Sequence, residues 1–258
     1  MTDVIPLSPI DRLLAVIAKL RDPNGGCEWD IAQSFATIAP YTIEEAYEVA
    51  DAIAGGDPAA ICDELGDLLL QVVFHSQIAA DDGLFGFDDV ASAISDKMER
   101  RHPRIFGDSK RDDVRKQWEQ IKAEERAADG PKSALSGVAL SLPALLRAQK
   151  LQSRAARVGF DWPDDAGPRD KIAEELVEVA TATDAPARHE EVGDLLFAVV
   201  NYARHLGVDA ETALRDANIK FARRFAAMED RAGGSLAGLA LDAQEAHWLA
   251  VKTSERRP

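Results

Sequence analysis

Two short acidic runs carry the residues best suited to chemistry: Glu174, Glu175 and Glu178, then Glu191 and Asp194. On a helix, residues three and four apart share a face, so Glu174 or Glu175 stacks with Glu178, and Glu191 stacks with Asp194 on the next helix. Asp184, Ala185 and Pro186 lie between them and mark a turn that folds the second helix back on the first. Four carboxylates about 4 Å apart repel by roughly 4 kcal/mol per pair at an effective dielectric of 20. Something cationic must hold them. Oxygen-only ligands suit a hard divalent ion, Mg²⁺ or Mn²⁺ before Zn²⁺. Acidic residues at helical spacing are often only a solvated face. Here Leu195, Leu196, Phe197, Val199 and Val200 follow Asp194 directly, which predicts a buried helix with carboxylates at its edge.

The same signal occurs earlier. Glu44, Glu45 and Glu48, then Glu64 and Asp67, repeat the pattern, with Gly66 and its paired leucines in register with Gly193. The first block is displaced by 130 residues (44 to 174) and the second by 127 (64 to 191). A third block, Lys97 to Arg101 against Lys220 to Arg224, is displaced by 123. The chain is therefore an internal duplication. Each copy has a helix with two cations four positions apart, Lys97 with Arg101 and Lys220 with Arg224. A cationic face opposite a metal-carboxylate face is what a polyphosphate needs.

These motifs make the chain resemble the MazG family of nucleoside triphosphate pyrophosphohydrolases, in the all-α NTP pyrophosphatase group. The residues behind the resemblance are the two acidic pairs, Asp22 and Pro23 with Cys27 to Asp30, and Arg101 to Pro103 with Phe106. Trp118, Glu119 and Lys122 add to it, as do Arg154 to Trp162, Asn201 with Arg204 to Gly207, and Lys220 to Phe225. The resemblance implies Mg²⁺-dependent cleavage between the α and β phosphates of a nucleoside triphosphate, in a four-helix unit completed by a homodimer. It makes Glu175, Glu178, Glu191 and Asp194 metal ligands and Glu174 an auxiliary carboxylate. Lys220, Arg224 and Trp248 become nucleotide contacts. In the first copy the corresponding metal residues are Glu45, Glu48, Glu64 and Asp67, with Lys97 and Arg101 for phosphate. The C-terminal copy is the expected working one. Departures are Glu28, where the family has proline, and Ala187, where it can carry lysine.

The elements that must position these residues are all helical, and no segment reads as strand. Ser8 to Leu20 is an amphipathic helix stopped at Pro23 to Gly26, and Trp29 lies in the following loop. Thr42 with Glu45 forms a capping box for the first acidic helix; the second spans about residues 60–80, and Asp88 to His102 carries Lys97 and Arg101. Residues 112–127 form a charged helix containing Trp118. Tandem four-helix-bundle domains are expected over 1–128 and 144–258, with a Gly-, Pro- and Ser-containing linker at 129–143. In the second, helices are predicted over 144–157, 171–182, 187–206 and 210–231, then a short one holding Trp248. Gly159 to Pro163 take the place of the Trp29 loop. Trp29, Trp162 and Trp248 are each either core aromatics or platforms for a base. Asn201, two turns past Asp194, could steady a ribose hydroxyl or a metal-held water; its counterpart in the first copy is Phe74.

A chain of 258 residues, 46% hydrophobic and 29% charged, fits two soluble globular domains. No apolar run approaches the roughly 18 residues of a membrane helix, and the first residues do not form a signal peptide, so a cytoplasmic protein without membrane contact is expected. Cys27 and Cys62 read as reduced packing residues. A net charge of −15 argues against nucleic acid as a partner. Residues 1–130 carry net −13 and residues 131–258 net −2, so a triphosphate meets less repulsion at the second copy. Two other classes are distinguishable. A di-iron carboxylate bundle wants paired ExxH motifs, and Glu99 to His102 stands unpaired. A non-catalytic acidic scaffold fits the N-terminal copy better than the whole chain. The expected mechanism is hydrolysis at Glu175, Glu178, Glu191 and Asp194, with Glu174 or Glu175 as general base and Lys220 and Arg224 on the phosphates.

Overall fold

The computed structural model describes residues 8–107 and 133–255. The chain divides into two compact units, Met1–Arg126 and Ala127–Pro258. The expected helix at 112–127, Trp118 and the first linker residues lie outside the described residues. Among the described residues every regular element is a helix, so the all-α, duplicated architecture is as expected.

In the N-terminal unit, α1 spans Pro9–Leu20, α2 Glu28–Ala32, α3 Phe35–Gly55, α4 Pro58–Asp81, α5 Phe87–Arg101 and α6 Pro103–Phe106. Helix α3 ends at Gly56, whose φ of 75° supplies the left-handed cap a side chain would disfavour. Asp57 then caps α4, accepting from the Ala59 N–H. The two long helices form a hairpin, and α1 and α5 lie against α4. Ile17, Ile38, Val73, Phe74 and Ile78 make the core.

In the C-terminal unit, α7 spans Ala144–Arg157, α8 Ala166–Thr181, α9 Ala185–His205, α10 Ala210–Arg231 and α11 Leu241–Ser254. Helices α8 and α9 repeat the hairpin, and Asp184 caps α9 by accepting from the Ala187 N–H at 2.8 Å. Helix α7 packs on α9 and α10, and α11 on α10. Met228, Leu236 and Val251 form a small core there.

Four local expectations are corrected. The first acidic helix starts at Phe35, not at a Thr42/Glu45 box: Ser34 and Thr37 cap each other, and Thr42 lies inside the helix, its hydroxyl 3.0 Å from His75 Nε2. Pro40 falls early in α3, where its missing N–H forfeits one bond without breaking the helix. Trp29 sits on the short helix α2, edge-on to Tyr41 and Phe74. Cys62 is exposed, so it is not a packing residue. Finally, α9 is not buried all round: Val200 is 1% exposed, but Leu196 is 52% exposed and Phe197 and Val199 also face outward.

Candidate metal and nucleotide site

The α8–α9 hairpin sets its acids face to face. Glu175, Glu178 and Glu191 each offer an oxygen within 4.8 Å of the others. Asp194 stands outside this triangle but lines the same cavity as Glu175. Glu45, Glu48 and Glu64 form the matching triangle on the α3–α4 hairpin, where Asp67 is close enough to raise the Glu45 and Glu64 carboxyls.

Glu175 is 3% exposed, and its Oε2 is buried without a hydrogen-bond partner. A lone buried carboxylate oxygen among oxygen donors is what a hard divalent ion would satisfy, so the residues fit Mg²⁺ or Mn²⁺. The sequence reading missed one member of the site. Lys171 reaches Glu174 and Glu175 at 2.7 Å each and Glu178 at 3.9 Å. Those bonds, to Glu174 first and then Glu175, hold its ammonium above the ordinary lysine range. Its spacing, four before Glu175 and three before Glu174, was the available signal. Glu178 is shifted up, first by desolvation and then by Glu175, Glu191 and Glu174, with Lys171 opposing.

Beside the triangle lies a cavity of about 780 Å³. Phe160, Trp162 and Phe197 give it aromatic walls; Lys171, Glu175, Asp194, Gln152, Asn201 and Arg204 give it polar groups. Its loop wall is clasped to the end of α9. Asp161 takes hydrogen bonds from both terminal nitrogens of Arg204 and lies 3.0 Å from His205 Nε2. The Arg204 bonds, helped by His205, hold the Asp161 carboxyl below its usual value. Arg204 also donates to Asn201 Oδ1 at 2.7 and 3.0 Å.

Lys220, Arg224 and Trp248 do not line this cavity within one chain. Lys220 is exposed on α10, and Arg224 lies over the Trp248 ring while pairing with Glu255. In the N-terminal unit, no ion pair joins Lys97 or Arg101 to the acidic triangle among the described residues, although α5 touches α4. His102 holds the Met98 carbonyl through Nδ1 and belongs to neither triangle.

Facing helices with paired acidic motifs, present twice, define an all-α phosphohydrolase scaffold. The profile of the MazG nucleotide pyrophosphohydrolase domain matches residues 33–106 and 169–227, which take in both hairpins. The chain belongs to the MazG family. It is 51% identical to the nucleoside triphosphate pyrophosphohydrolase of Escherichia coli K12, over 96% of this chain and 99% of that protein. It is 43% identical to the nucleoside triphosphate pyrophosphohydrolase/pyrophosphatase MazG of Thermotoga maritima, over 94% and 95% of the two chains. The nucleoside triphosphate pyrophosphohydrolase of Mycobacterium tuberculosis is 34% identical over 69% of this chain and 53% of its own.

Proposed function

We propose that this protein hydrolyses nucleoside triphosphates between the α and β phosphates, releasing the monophosphate and pyrophosphate, at the C-terminal triangle with Mg²⁺ or Mn²⁺. The observation that carries the reading is the carboxylate triangle opening beside an aromatic-walled cavity, in a chain 51% identical to a nucleoside triphosphate pyrophosphohydrolase. Glu175, Glu178, Glu191 and Asp194 would hold the ion. When bound, it supplies positive charge against the phosphate oxygens.

The chain's own residues do the rest. Lys171 adds a cation that can turn from its carboxylates to a phosphate. Glu174 uses Oε1 for Lys171, leaving Oε2 to take the proton of the water that attacks phosphorus in line. As the new P–O bond forms, the bond to the leaving phosphate breaks, and the walls of Phe160 and Trp162 keep other water out. Lys220, Arg224 and Trp248 reach the nucleotide from a second copy. A homodimer is supported by the exposed apolar face of the hairpin, where Val177 and Leu196 stand out. The substrate pool places the reaction in the cytoplasm, with no nucleic-acid or membrane partner invoked. Among the described residues no helix is long and apolar enough to cross a membrane.

The N-terminal copy reads better as a non-catalytic helical scaffold, because Phe74 and Gln71 fill the space that Asn201 and Ala198 leave open in the second copy. The test compares Glu178→Ala with Glu48→Ala in the full chain. Glu178→Ala is expected to lose pyrophosphate release and the rise in Tm given by Mg²⁺ or Mn²⁺ at the C-terminal unit, while staying folded. Glu48→Ala keeps both. Orthophosphate as the product, or activity surviving Glu178→Ala when Glu45, Glu48 and Glu64 are also replaced, overturns the assignment.

A further inference from the structure

The duplication supplies an internal control for the cavity. Displacement by 127 residues sets Gln71 against Ala198 and Phe74 against Asn201. In the first copy Gln71 closes on Glu45 at 3.3 Å and Phe74 joins a dry core with Ile17, Ile38 and Val73. In the second copy a methyl group and a short amide stand there, and both line the cavity. The fold is stable with that space filled by its own side chains, so the opening and its polar lining are not needed for the hairpin.

Gln152 is the least satisfied polar group in that lining. It is 6% exposed, and its Nε2 donates to the Phe197 carbonyl at 2.8 Å. A carbonyl only accepts, so this bond fixes the amide and leaves Oε1 turned the other way, buried without a partner. Asn201, 7% exposed, is fixed in the same manner: its Oδ1 faces the donor-only guanidinium of Arg204, which leaves Nδ2 as the free end. The cavity therefore offers one oriented acceptor and one oriented donor within an apolar surround. Burying such groups unpaired is costly, and a ligand that pairs them recovers the cost. Gln152 meets α9 at Phe197, one turn past Asp194, and the bonded carbonyl points further toward Asn201. At 1.5 Å per residue, the Phe197 to Asn201 stretch lies about 9 to 15 Å along α9 from Glu191, the reach of a base rather than of a phosphate.

We infer that Gln152 and Asn201 read the base of the nucleotide, Gln152 Oε1 accepting from an exocyclic amino or ring N–H group and Asn201 Nδ2 donating to a neighbouring ring nitrogen or carbonyl. This rests on the nucleotide reading above. It makes the site selective for bases with an N–H on the hydrogen-bonding edge and tolerant among them.

The experiment uses the full chain with ATP and purine riboside triphosphate, which lacks the amino group and any ring N–H on that edge. Wild-type protein is expected to prefer ATP by about ten-fold or more in kcat/KM, mainly through KM, because the analogue leaves Oε1 unpaired. Gln152→Met should bring that ratio toward one while leaving the ratio of dATP to ATP unchanged. Equal use of the two triphosphates by wild type, which needs no variant, overturns the inference. So does a Gln152→Met protein that changes the dATP to ATP ratio instead, since Gln152 would then read the sugar. If wild type hydrolyses none of these compounds, the hydrolase reading fails on its own. Calorimetric binding of the same pair then decides the base contact, tighter ATP binding supporting it and equal binding refuting it.

Discussion

Gly167, in the first turn of α8, permits the loop wall of the cavity to close. A Cβ built there would lie 2.6 Å from both Cγ and Nε1 of Trp162, against the 3.4 Å at which ordinary contact begins. The indole is rigid, so Gly167→Ala forces either the helix or the Trp162 loop to move. Overpacking of this kind costs about 1 to 3 kcal/mol. Alanine's better helix propensity returns at most about 1 kcal/mol. For a unit of this size, a net loss of about 1 to 2 kcal/mol lowers Tm by roughly 3 to 10 °C. Calorimetry of the C-terminal transition reads this, and nucleotide KM should rise several-fold because Trp162 is part of the cavity wall. In a Trp162→Leu background the same glycine substitution should cost little, since the obstacle is gone. A Gly167→Ala protein with unchanged Tm and KM, or a cost that persists without the indole, refutes the steric argument.

The Asp161 clasp has a pH signature. Its carboxyl is held below the usual value by Arg204 and His205, so its stabilisation is complete above the unfolded value near 3.8 and is lost as pH falls through the lower folded value. Asp161→Asn is therefore expected to lower Tm at neutral pH and to flatten the loss of stability below about pH 4; parallel acid-denaturation curves for the two proteins would contradict this. The exposed hairpin face makes a second prediction. Leu196→Asp should convert a dimer to monomers in sedimentation experiments and lower activity with it, and an unaltered mass excludes that face as the interface.

Much of this arrangement was legible in the chain. Helical periodicity fixed the helices, and the displaced acidic blocks identified both hairpins, because carboxylates at i and i+3 must share a face wherever the helix lies. Helix starts were less legible: Thr42 and Glu45 have the right types for a cap, but the Ser34 and Thr37 pair wins one and a half turns earlier. The apolar run after Asp194 suggested burial, yet hydrophobicity alone does not tell an interior from a face awaiting a partner chain. The Asp161–Arg204 pair was out of reach for another reason. Its members lie 43 residues apart, and no periodicity links a loop to the end of a distant helix.

Register gives Lys171 a counterpart in Tyr41, 130 residues earlier. The duplicated hairpins thus calm the same crowding of anions by different means. The later one carries an ammonium within its own sequence, so it can close during synthesis without waiting for an ion. The earlier one lacks that amine, and Glu45 and Glu64 hold their protons to higher pH instead.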